Sequence, residues 1–255
     1  IYNNLRSLII GKVYTSADLA YYNQGDTWTY SIAESVDTSI ESVLFPVMSS
    51  LQDDRAQVKN MTRRSIKTCT YIIAPIMISI AFCAEPLVRL ILTEKWLPCV
   101  LFLRVSCLRY MCWPIITANL NAAKAVGRSD LYLKRQLMSE VVSILLLLVT
   151  FRVSVVAIAY SVLITNVVIQ ILDAQLSKKL IDYGYLEQMR DILPTLLLAA
   201  GAGLCMYLVN FLHLPDLLTV IIQVVVGLGV YLTGSAILEL DTFEYFKDVL
   251  APSIR

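Results

Sequence analysis

The feature that most constrains this chain is its set of long, unbroken apolar runs. Seven segments are long enough to cross a bilayer: Trp28–Leu51, Thr70–Leu92, Pro98–Ala122, Leu137–Phe151, Val153–Leu176, Ile192–Leu212 and Leu217–Leu238. A crossing helix needs about 20 predominantly apolar residues. The fourth run is the shortest, and it extends back toward Leu131 if Lys134 and Arg135 snorkel to the interface. The runs are continuous rather than alternating, so they read as helices. Only helices and closed barrels satisfy their backbone in lipid. Composition agrees, with 57% apolar and 16% charged residues among 255, where soluble domains carry about 25% charge. Too few charges remain to solvate a core of that size. Disorder, a nucleic-acid-binding domain and a disulfide-stapled secreted module are excluded, and an all-α polytopic membrane protein is expected.

Orientation follows from the basic residues. Arg55, Lys59, Arg63, Arg64 and Lys67 follow the first span, and only Lys95 follows the second. Lys124, Arg128, Lys134 and Arg135 follow the third, and Arg152 alone the fourth. Lys178, Lys179 and Arg190 follow the fifth, none lies in Asn210–Asp216, and Lys247 and Arg255 lie in the tail. The split alternates at every turn, as the positive-inside rule requires, and puts the carboxy terminus in the cytoplasm. Leu5–Val13 is apolar but too short to span, and it reads as the end of a truncated helix in a fragment of a longer protein. The expected organisation is a truncated helix end over 1–13 and a five-span core over 14–178. A cytoplasmic loop at 179–191, two terminal spans over 192–239 and a cytoplasmic tail over 240–255 complete it.

Charges at membrane depth are costly and usually face a bundle interior or a watery cavity. In the first span Glu34, Asp37 and Glu41 fall at i, i+3 and i+7, within about 60° of arc. Thr27, Tyr30, Ser31 and Thr38 widen the stripe. The third span carries Arg104 and Arg109, about 140° apart. Two readings fit them: donors for phosphate or carboxylate in a cavity, or structural ion pairs. The fifth span carries Asn166, Gln170 and Asp173 on one face. An inter-helix hydrogen-bond seam accounts for Asn166 and Gln170, and cavity lining is the alternative.

Other features have plainer readings. The six cysteines lie mostly in apolar runs without a C-x-x-C pair, and read as small buried hydrophobes. Pro46, Pro75, Pro86 and Pro114 imply kinks. Gly201, Gly203, Gly227 and Gly229 permit close helix packing. Glu85 and Arg89 form an i, i+4 pair near the outer surface, and Trp96 is an interfacial anchor. Leu240, Phe243, Phe246 and Leu250 give the tail an apolar stripe suited to the inner leaflet. His213, the only histidine, falls in a short external turn. No catalytic set, metal-ligand spacing or phosphate loop emerges, so an enzyme is not expected.

The stretches "GKVYTSADLAYYNQGD", "SIESVLFPVMSSLQDDRAQVKNMTRRSIK" and "AEPLVRLILTEKWLP", with "ANLNAAKAVGRSD" further on, resemble the bacterial polysaccharide-transporter family. These are the Wzx-type oligosaccharide flippases of the multidrug/oligosaccharidyl-lipid/polysaccharide superfamily. The resemblance implies a fourteen-helix flippase of which this chain is the C-terminal bundle, lacking the N-terminal half. It implies movement of a lipid-linked oligosaccharide, on an undecaprenyl diphosphate carrier, across the bacterial inner membrane by alternating access. On that reading Arg104 and Arg109 serve the diphosphate or acidic sugars. Glu34, Asp37 and Glu41 meet sugar hydroxyls, balance the arginines or bind a coupling cation, H+ or Na+. No cofactor is implied, and membrane lipids are the other partners. A cation-coupled multidrug exporter of the same superfamily is the alternative.

Overall fold

The fold is a computed structural model that describes residues 2–51, 54–212 and 214–250. Asp53, His213 and Arg255 lie outside the described residues. Among the described residues ten α-helices follow in order: α1 (Tyr2–Val13), α2 (Ser16–Ser50), α3 (Arg55–Leu92), α4 (Cys99–Met111) and α5 (Trp113–Ala125), then α6 (Ser129–Thr150), α7 (Val155–Ile181), α8 (Tyr185–Val209), α9 (Asp216–Ile237) and α10 (Asp241–Leu250). No strand occurs among the described residues.

Local chemistry sets the helix ends. Thr15 and Asp18 form a reciprocal capping box at the start of α2, which satisfies two of its orphan amide donors. Asp54 accepts the amide N–H groups of Ala56 and Gln57 at the start of α3. Those N–H groups hold the Asp54 carboxyl below the usual carboxylate range. Gly127 ends the α5 turn at φ +74°, a left-handed conformation that favours glycine. Each of these residues belongs to the motifs quoted above.

Among the described residues, five segments are both long and apolar enough to cross a membrane: α3, α4–α5 together, α7, α8 with its 3-10 end, and α9. They correspond to the second, third, fifth, sixth and seventh expected spans. The first and fourth expected spans are present as the more highly charged helices α2 (35 residues) and α6 (22 residues). The third span is kinked at Cys112, just before Pro114, because proline lacks the N–H that would continue the ladder. One expectation needs correction: the loop expected at 179–191 contracts to Asp182–Gly184, with α7 ending on a left-handed Asp182.

The core lies where α2, α3, α4, α5 and α7 meet, with α8 and α9 packed on α3. Lipid tails are as apolar as leucine, so small residues that allow close approach do much of the specifying. Gly203 faces Phe82 and Ile78 on α3, and Gly227 faces Met206 on α8. Gly201 and Gly229 meet no neighbour and do not serve the packing role expected of them. Gly25, not singled out by the sequence, is the tightest contact to backbone. A Cβ there would lie 2.7 Å from the Leu103 nitrogen of α4. Gly25→Val should therefore push α2 off α4 and cost about 1–3 kcal/mol of stability, readable as a lower thermal midpoint in detergent.

One end of the bundle is tied by charge. Lys59 pairs with Glu187 at 3.1 Å and Arg63 with Asp191 at 2.6 Å, and Tyr183 donates to Asp191 at 2.8 Å. Lys67 pairs with Asp241 of α10. Leu240 and Phe243 pack on the cluster of Tyr71, Ala74, Ala199, Ala202 and Tyr231. These two tail residues thus face the bundle rather than the lipid their stripe suggested. Lys67 holds the Asp241 carboxyl below its ordinary value of 3.8. A lowered carboxyl contributes stability above that value and loses it as pH falls through the folded-state titration. A spin label at Glu244→Cys should therefore sharpen as pH drops below about 3.8, and should be sharper than wild type at neutral pH in Lys67→Gln.

Candidate functional site

The α2 helix lies alongside α4–α5 in parallel, and the polar groups of the two meet rung by rung. At the first rung Asp26 accepts from Ser106 at 2.9 Å, from Arg109 at 3.1 Å and from Tyr110 at 3.2 Å. At the second, Tyr30 stacks on Trp113 with ring centroids 5.7 Å apart and donates to Glu34 at 2.6 Å. At the third, Thr117 donates to Asp37 at 2.9 Å. At the fourth, Lys124 pairs with Glu41 at 3.3 Å. Asp37 and Glu41 thus face α5, and Glu34 joins the ladder through Tyr30 of its own helix.

A second face of α2 is exposed and rich in hydroxyls: Thr27, Ser31, Ser35, Thr38, Ser39 and Ser42. Each donates to a backbone carbonyl three or four residues earlier. Such back-bonding satisfies the donor within its own helix and bends it slightly. The result is a polar helix face that lipid would not stabilise.

Beside the ladder is a cavity of about 400 Å3, within the ordinary range for small-ligand sites. Tyr30, Arg109, Tyr110 and Trp113 form one wall, and Arg135, Ser139 and Asn166 line the α6–α7 side. Arg6 of α1, which donates to Tyr22 at 2.9 Å, also lines it. The Arg109 guanidinium lies 4.6 Å from the Tyr110 ring centroid, within cation–π range. Its Nε is buried and has no hydrogen-bond partner. A guanidinium has five N–H donors, so Asp26 leaves this one with capacity for another acceptor.

The eight residues singled out by sequence fall in different places. Arg109 lies at the cavity wall and Asn166 lines the opposite side. Glu34, Asp37 and Glu41 belong to the α2–α5 ladder. Gln170 is buried within α7. Asp173 is also buried and forms a two-pronged pair with Arg135, 2.6 Å at one prong. Arg135 was expected to snorkel toward the cytoplasm. It is buried instead, because Asp173 offers it a partner inside. Arg104 points away from the cavity and donates to the Ala81 carbonyl of α3 at 3.2 Å.

Sequence reasoning missed Asp26, Tyr110 and Trp113 as parts of the site. The available signal was two aromatic residues at i+1 and i+4 from an arginine inside an apolar run. It also missed the buried knot in which Asn119 and Gln188 exchange hydrogen bonds of 3.0 Å while Ser177 donates to Asn119 at 2.7 Å. That knot fastens α5 to α7 and α8. The six cysteines form no disulfide.

Residues 1–101 match the model of a family described as "Polysaccharide biosynthesis protein". An uncharacterized membrane protein in the cps region of Klebsiella pneumoniae is 25% identical over 108 residues, which is 42% of this chain and 22% of that protein. A solved structure of the lipid II flippase MurJ, in an inward closed conformation, superposes with a TM-score of 0.77 at 16% identity. That match covers 94% of this chain and 52% of the flippase, so the chain spans about half of that protein's length. At this identity the likeness is one of fold. Motifs, family match and fold together bear out the resemblance: the chain is a multi-pass, all-α membrane protein similar to a polysaccharide-biosynthesis family in sequence and to the lipid II flippase in fold.

Proposed function

We propose that this chain forms one half of a transporter that moves a lipid-linked oligosaccharide from the inner to the outer leaflet of the bacterial inner membrane. The cargo is of the undecaprenyl-diphosphate type, the process is surface polysaccharide biosynthesis, and the charged end of the bundle, including the carboxy terminus, is cytoplasmic. A second bundle supplies the opposite wall, in keeping with a chain that covers 52% of the flippase it resembles.

The observation that carries this reading is Arg109. It stands at the wall of a cavity within an apolar bundle, beside Tyr30, Tyr110 and Trp113, with a buried donor unused. A guanidinium fork matches phosphate oxygens two at a time, and aromatic faces offer flat apolar surface to sugar rings. Asp26 holds Arg109 in place between cargoes, so an arriving phosphate competes with a carboxylate rather than meeting a bare charge. That competition keeps binding reversible, as alternating access requires. Asp37, half-buried beside Thr117, is the group we assign to a coupling H+ or Na+.

Cells deprived of the protein should accumulate lipid-linked oligosaccharide and lose surface polysaccharide. Unaltered polysaccharide with a loss of drug resistance would instead favour the multidrug-exporter reading.

A further inference from the structure

A second polar site, lined by none of the residues of the Arg109 cavity, opens on another face of α4. At the end opposite the Lys59–Asp191 cluster, α3, α4, α8 and α9 enclose a crevice of about 470 Å3. Its charged lining is Glu85, Arg89, Arg104 and Asp216, with Asn210 and Thr219 beside them. Arg89 pairs with Glu85 at 2.7 Å and lies 4.0 Å from Asp216. Two carboxylates thus share one guanidinium and leave a net negative pole. Arg104 supplies the positive pole. It donates through Nε to the Ala81 carbonyl, and no carboxylate pairs with it among the described residues.

The surroundings of this crevice are apolar and exposed. Leu101 and Leu108 flank Arg104 at i−3 and i+4 on α4. Leu204, Tyr207 and Leu208 line the outer face of α8, and Leu90 and Ile91 the end of α3. On membrane helices such a surface meets acyl chains. Arg104 lies five residues into α4 and Glu85 seven residues from the end of α3, so both sit within about 10 Å of the helix ends. That is the depth of the headgroup layer, and Trp96, packed edge-on against Tyr21, marks the same level. An arginine exposed among lipid-facing leucines at that depth is stabilised by a lipid phosphate.

We propose that this crevice binds the headgroup of a zwitterionic phosphoethanolamine lipid, with the phosphate on Arg104 and the ammonium at the Glu85–Asp216 pole. The separated charges select a zwitterion over a purely anionic headgroup, which would meet two carboxylates. The flanking leucines hold the acyl chains, so the intact lipid, not the soluble headgroup, is the ligand. The site does not depend on the transport reading.

The test is native mass spectrometry of the delipidated protein titrated with phosphatidylethanolamine, phosphatidylglycerol or soluble glycerophosphoethanolamine. Phosphatidylethanolamine should be retained preferentially, and Arg104→Gln should weaken its binding about tenfold, the equivalent of one charge-assisted contact. Glu85→Gln combined with Asp216→Asn should abolish the preference over phosphatidylglycerol while leaving phosphate-driven binding. Equal retention of both lipids by the wild type, unchanged binding by a monodisperse Arg104→Gln protein, or equal binding of glycerophosphoethanolamine would each overturn the assignment.

Discussion

Arg109→Ala should nearly abolish polysaccharide export while the protein remains in the membrane at its normal level. The substitution removes the cavity guanidinium that is joined to Asp26, placed over the Tyr110 ring and left with an unused buried donor. Hydrogen bonds to charged groups contribute about 1.5–3 kcal/mol each, so one lost phosphate contact should slow export about 10- to 100-fold. Arg109→Lys should fall between wild type and alanine, because an ammonium is a point charge without the planar fork. The readout is surface polysaccharide per cell, normalised to the amount of protein in the membrane. Normal export by Arg109→Ala would remove the cavity from the transport account.

Asp173→Asn should be the most damaging substitution for the fold itself. It leaves Arg135 charged and buried with no carboxylate to neutralise it, facing a neutral amide and, among the described residues, the Gln136 side chain at 3.2 Å. Breaking a buried pair from one side costs about 3–5 kcal/mol. Removing both charges together, as Arg135→Met with Asp173→Leu, should cost much less than the two single changes summed, because neither ion is then stranded. Reversible unfolding in detergent or bicelles reads both variants, and additive losses would mean that the pair is not coupled.

The architecture was largely legible because it rests on one physical constraint. Backbone in lipid must be helical, so uninterrupted apolar runs translate directly into helices, and the placement of Lys and Arg predicts which ends meet. Lys59, Arg63 and Lys67 do gather at one end with Glu187, Asp191 and Asp241. The α2 acids were visible for the same reason: three charges on one helix face cannot point at lipid. The partners of polar groups were much harder to read. Asp26 precedes the first apolar run at Trp28, and sequence does not reveal that α2 extends as one helix from Ser16 to Ser50. Arg135 looked interfacial, because its partner Asp173 lies 38 residues away on another helix. Arg104 and Arg109 looked equivalent, since helical periodicity gives the angle between two side chains but not which neighbour each one meets. The kink at Cys112 was legible by contrast, because Pro114 removes a ladder N–H there.

The central claim is that the protein moves a lipid-linked oligosaccharide between leaflets. It is tested most directly by asking on which side of the membrane that lipid resides. Spheroplasts from cells making or lacking the protein are treated with a membrane-impermeant glycosidase, and the fraction of lipid-linked oligosaccharide cleaved is measured. The account predicts substantial cleavage when the protein is present, and protection of the accumulated lipid when it is absent or carries Arg109→Ala. Equal cleavage with and without the protein would contradict it.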